Sequence, residues 1–117
     1  MAKRKDITLY QGDDPHLALT VLNGTAPYNL AGQRIEFIVK AKATASDEDA
    51  LWVLSSEGLD ARITINANPA SGLAVADLSD RIDVPGKLWY HSVVASAADA
   101  AVGRHTWAFG IFEVVAV

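Results

Sequence analysis

Apolar and polar residues alternate over short stretches of this chain, and Gly, Asp, Asn or Pro interrupts the alternation at close intervals. A period of two puts successive side chains on opposite faces of a β-strand, so each stretch predicts a strand buried on one side. The clearest spans 34–42, where Ile35, Phe37, Val39 and Ala41 share one face and Arg34, Glu36, Lys40 and Lys42 the other. Ile7 and Leu9 mark an earlier short strand, closed by Gln11-Gly12-Asp13-Asp14-Pro15. Leu17, Leu19 and Val21 mark the next, and Asn23-Gly24 after it signals a turn because both residues tolerate positive φ. Leu30, in the loop that follows, is expected to tuck under the sheets.

Ala43 to Ala50 is polar and acidic and reads as a loop or one irregular turn, and Leu51 to Leu54 as a short strand. Arg62 to Asn66 alternates, Asn68-Pro69-Ala70-Ser71-Gly72 turns the chain, and Leu73 to Leu78 returns as the second arm of a hairpin. Ser79 and Asp80 are good caps, so Ser79 to Gly86 reads as one helical turn. Lys87 to Ala95 and Arg104 to Val115, rich in aromatic and β-branched residues, form the last two strands. The Ala-rich stretch between them is too short for an isolated helix and reads as a hairpin loop. Short strands with turn signals at even spacing predict an all-β fold, an antiparallel β-sandwich of seven to nine strands.

With 117 residues, 50% of them hydrophobic, the chain is one domain around one core. Only 21% of residues are charged, so part of the apolar content is expected to face a partner subunit. A net charge of -4 argues against nucleic acid or an anionic membrane as partner, and no apolar run is long enough to span a bilayer. Lys3-Arg4-Lys5 is a local exception, but no apolar stretch follows it as a secretion signal requires. Residues 1–5 therefore read as a flexible basic tail and 6–117 as the domain. The absence of cysteine excludes an inter-sheet disulfide, a thiolate metal site and a cysteine nucleophile, and fits folding in a reducing cytoplasm.

Three local signatures recur in a known order: the Gly12-Asp13 turn after the first strand, Leu30-Ala31-Gly32 before the alternating strand, and the closing Gly110-Ile111-Phe112-Glu113-Val114. In this order and spacing, from Asp6 to Val114, the chain resembles a phage tail family: the immunoglobulin-like β-sandwich at the N-terminus of baseplate upper proteins and in small tail or prophage proteins. The resemblance implies a virion structural component, assembled in the bacterial host cytoplasm and packed against other tail proteins, with a homo-oligomer expected. It carries no catalytic motif and no cofactor. It also implies that Phe112 and Val114 join Ile35, Phe37, Val39, Ile63 and Ile65 in the core.

Strict alternation then sends His105, Trp107, Phe109 and Ile111 to the opposite face of the last strand, and Trp89 and His91 lie together on the strand before it. These six residues are the expected partner interface, since large aromatics rimmed by polar groups anchor protein–protein contacts. Two arrangements would hide that face instead: the Ala43 to Ala50 loop folded over it, or a bulge at Gly110 that switches the register. Candidate chemistry is sparse. His91 and His105, as cross-strand neighbours, would offer two imidazoles but no third ligand at motif spacing, so no metal site is expected. Asp13-Asp14 and Asp47-Glu48-Asp49 lack the alternating oxygen ligands and central Gly of a calcium loop, and read as a turn cap at Asp13 and a solvated loop. Neither a G-x-S-x-G elbow nor a phosphate-binding glycine motif is present, and an enzyme is not expected. The rival reading is a small carbohydrate-binding or adhesion module, with Trp52, Trp89 and Trp107 as a stacking platform.

Overall fold

The alternating stretches condense into two sheets that share one core. The structure, a computed structural model, describes residues 2–59 and 61–116. In chain order the strands are β1 (Lys3–Arg4), β2 (Ile7–Tyr10), β3 (His16–Thr20), β4 (Leu22–Asn23), β5 (Ala26–Pro27) and β6 (Gln33–Lys40). β7 (Trp52–Ser55), β8 (Ile63–Ile65), β9 (Leu73–Asp77), β10 (Gly86–Ser96) and β11 (His105–Val115) follow. The larger sheet runs β11-β10-β6-β7, antiparallel throughout, and β1 and β2 both lie parallel along the far side of β11. The smaller sheet is β3-β9-β8, also antiparallel, and β4 and β5 make a separate short hairpin around Gly24. The chain is thus an all-β, two-layer sandwich.

Alternation fixes which residues meet between the layers. Ile35, Phe37 and Val39 of β6 are fully buried, as are Leu30 beneath the strand and Phe112 of β11, and Val114 of β11 is buried beside them. Leu19, Ala74, Ala76 and Ile63 come from the smaller sheet to meet them, with Ile65 partly buried at the margin. Phe37 stands at the centre. Its ring stacks on Tyr90 at 4.9 Å and on Trp52 at 6.2 Å, and meets Phe112 edge-on at 6.0 Å. Ser92, buried opposite Phe37 on β10, donates its hydroxyl to the Glu36 carbonyl at 2.9 Å, which removes the penalty of burying it.

Two local expectations change. Residues 79–85 form turns and not a helical turn. Asp77 draws the backbone there, accepting from the Ser79 N–H at 2.9 Å and from the Ser79 hydroxyl at 2.5 Å. The basic segment is not a free tail: Lys3 and Arg4 pair with Ala108 and Phe109, and the Lys5 N–H donates to the Phe109 carbonyl at 2.8 Å. Gly110 is the cause. Its missing side chain lets the Lys5 backbone and the Asp6 carboxylate press against β11. There the Asp6 carboxylate accepts the Ile111 N–H at 3.0 Å, and the Tyr90 hydroxyl donates to the Lys5 carbonyl.

Candidate interaction surface

Cross-strand register builds the outer face of the larger sheet from named pairs. Trp89 stands opposite Ile111 and His91 opposite Phe109, so these four side chains share that face. Lys40 of β6 flanks Trp89, and Arg4 of β1 stands beside Phe109 with its guanidinium 5.8 Å from the Trp89 ring centre. Ile38 and Val93 face the same way.

Trp107 and His105 do not join them. Ser92 pairs with Ala108 but Val93 with Thr106, so Trp107 is an extra residue with no partner on β10. A bulge resets the side-to-side alternation, and the Trp107 ring packs against the margin of the core. Beyond the bulge His105 stands opposite Val94, a core residue, and on the other side of the sheet from His91. The two histidines are therefore not neighbours. The bulge sits at Trp107 and not at Gly110.

The connection from β6 to β7 lies over part of the outer face. It makes one short helical turn at Asp47–Asp49, and Asp47 is its anchor. One carboxylate oxygen is 2.9 Å from the Lys40 ammonium and 3.2 Å from His91 Nε2, and the other is 3.1 Å from the Arg104 guanidinium. Arg104 in turn pairs with Glu36 at 2.8 Å, and the Lys40 ammonium donates to the Ala45 carbonyl at 2.7 Å. Ile38 and Val93, on this face, are 2% and 1% exposed. No sequence pattern announces this network. Asp47 and Arg104 lie far apart in the chain, and an acidic run looks the same whether it meets water or two cations.

The uncovered remainder is apolar. Phe109 is 38% exposed, and with Trp89, His91, Lys40 and Ala43 it lines a shallow cleft of about 210 Å³. The three tryptophans do not form a platform. Trp52 packs edge-on against Phe112 at 5.6 Å with Arg81 over its ring, Trp89 is on the outer face, and Trp107 is at the bulge. Asp14, not Asp13, caps the first turn, accepting the His16 N–H at 3.0 Å. Among the described residues no group of three or more His, Cys, Asp or Glu side chains is placed to hold a metal ion, and no helix is long and apolar enough to cross a membrane.

Electrostatics follow from the same contacts. Partial burial pushes the Asp47 carboxyl upward, but the hydrogen bond from Lys40, the charges of His91 and Lys40 and the hydrogen bond from Arg104 outweigh it and hold the carboxyl below its usual range. Burial pushes the His91 imidazole below its usual value, more than the neighbouring Asp47 carboxylate can offset. Both lowered groups bind more protons when unfolded than when folded, so both make stability fall as pH falls. The His91 contribution is lost as pH drops through and below 6.5, and the Asp47 contribution only below 3.8. Thermal midpoints of the wild type are therefore expected to decline in both windows. Asp47→Asn, which leaves Lys40 without its carboxylate, should lower the midpoint at neutral pH, and its deficit should close at the acid end. A constant deficit across the whole range would mean that the anchor does not act through its charge.

No protein-family model matches the chain, and no curated protein matches it.

Proposed function

We propose that this protein is a structural component of a phage or prophage tail or baseplate, acting by protein–protein packing in a symmetric assembly in the virion. One observation carries the packing part: the apolar patch of Trp89, Phe109 and Ile111, left open beside the Asp47 anchor and rimmed by Arg4, Lys40 and His91. An aromatic centre with a charged rim is the composition of an interface anchor. The tail reading adds the resemblance carried by the Gly12-Asp13, Leu30-Ala31-Gly32 and Gly110 to Val114 signatures, and strand order supports its immunoglobulin-like part. In that reading β3, β9 and β8 correspond to strands B, E and D, and β6, β10 and β11 to C, F and G, with β7 following C.

Phe109→Lys tests the packing. The side chain is exposed enough for the fold to accept a lysine, whereas a charge at the centre of an assembly surface is strongly unfavourable. Sedimentation should show an oligomer for the wild type and a monomer for the variant, with unchanged circular dichroism. A wild type that stays monomeric and ignores purified tail particles of its own phage would remove the reading. Binding to a glycan array by such a monomer would replace it with the adhesion module.

A further inference from the structure

On the opposite side of β11 from the aromatic patch, a cleft of about 500 Å³ opens between the edges of the two sheets. Lys3 and Lys5 stand on one wall, Thr20 and Leu22 on the other, and Trp107 and Ala108 line it as well. Its volume is that of a site for a small ligand or a short peptide. We propose that this cleft binds an extended acidic segment of a partner protein, with an apolar side chain against Trp107 and carboxylates at Lys3 and Lys5. This inference is independent of the tail reading, since it uses a different surface.

Three observations support it. First, the N-terminal charges are divided between two surfaces. Residues two apart on a strand share a face, so Lys3 and Lys5 turn to the cleft while Arg4 turns to the outer face. Arg4, Lys40 and Arg104 are all matched by carboxylates, but among the described residues neither Lys3 nor Lys5 is in an ion pair. In a chain of net charge -4, two unmatched ammonium groups beside an apolar wall favour a ligand that is itself acidic. Second, Trp107 is the bulged residue, and a bulge is the device that re-aims a side chain at a sheet edge. Its indole N–H is buried and has no acceptor among the described residues. Third, the cleft lies where both sheets end, between the short β1 on one side and, on the other, the end of β3 at Thr20 and the β4–β5 hairpin at Leu22 and Gly24. An extended chain is the shape that an exposed strand edge accepts. Two lysines on a chain of net charge -4 are too few for a nucleic acid, which is held through many phosphate contacts.

Selection of a random-peptide display library on the folded protein is the test. Peptides with Asp or Glu next to an aromatic or aliphatic residue should be enriched. The most enriched of them, made synthetically, should shift the Trp107 indole resonance saturably in nitrogen–proton correlation spectra. The double variant Lys3→Gln, Lys5→Gln keeps both backbone pairings and should bind that peptide roughly tenfold more weakly. Raised salt should weaken wild-type binding in the same direction. The proposal is overturned if no acidic motif is enriched, if the double variant binds as well as the wild type, or if the shifts fall elsewhere than Trp107. Tighter binding of a short single-stranded DNA through the same two lysines would also overturn it.

Discussion

Phe37→Ala is expected to lower the unfolding free energy by about 3–5 kcal/mol, a large share of the stability of a single domain. The ring is fully buried and touches three other aromatics, Tyr90, Trp52 and Phe112, each from a different strand. Truncation removes the transfer free energy of the ring and leaves a cavity that those neighbours fill poorly, because each is held by its own strand. Part of the loss exceeds area alone, since stacked and edge-on aromatic pairs add their own attraction. Urea unfolding followed by circular dichroism reads the effect as a lower midpoint at constant slope. A loss under about 1 kcal/mol would mean that β6 is placed one residue out of register.

The burial of Phe37 is legible in the amino-acid sequence because its strand keeps a pure period of two, and the same is true of Ile35 and Val39. The β8–β9 hairpin is legible for a related reason: turn chemistry at 68–72 agrees with alternation on both sides, and Gly72 takes the left-handed conformation with φ of 70°. Extending that rule through a strand that breaks it misplaces His105 and Trp107. A bulge adds one residue without changing composition, so Arg104 to Val115 reads as a regular strand although its first part is turned over. β1 is hidden because two residues have no periodicity to read. Its pairing depends on contacts with β11, more than a hundred positions away in the chain. The Asp47 anchor is hidden for the same reason. Local pattern sets the readable elements, whereas a meeting of distant segments sets the others.

Gly110→Ala tests the least legible of those meetings. Gly110 has a φ of 155°, and a methyl group there would lie 2.7 Å from both the Lys5 carbonyl oxygen and the Asp6 carboxylate, and 3.0 Å from the Lys5 carbonyl carbon. Rotating the Asp6 side chain relieves one of these clashes, but the others involve backbone, so the N-terminal segment must move away from β11. The move breaks the bond from the Lys5 N–H to the Phe109 carbonyl, the bond from the Tyr90 hydroxyl and the pairing of β1. Crowding and the lost hydrogen bonds together are expected to cost about 2–4 kcal/mol. Asp6→Ala should be milder, because it gives up only the carboxylate contacts to Ile111 and Arg4. Hydrogen exchange separates a local release from global loss. The Lys5 amide should exchange much faster in Gly110→Ala, while amides in the centres of β6 and β10 keep the protection that the remaining global stability allows. The same variant bears on the cleft, since β1 is one of its walls. A released β1 should abolish binding of the acidic peptide even with the core intact. Unchanged protection at Lys5 would show that β11 tolerates a side chain at 110 and that glycine is not what holds the N-terminal strand in place.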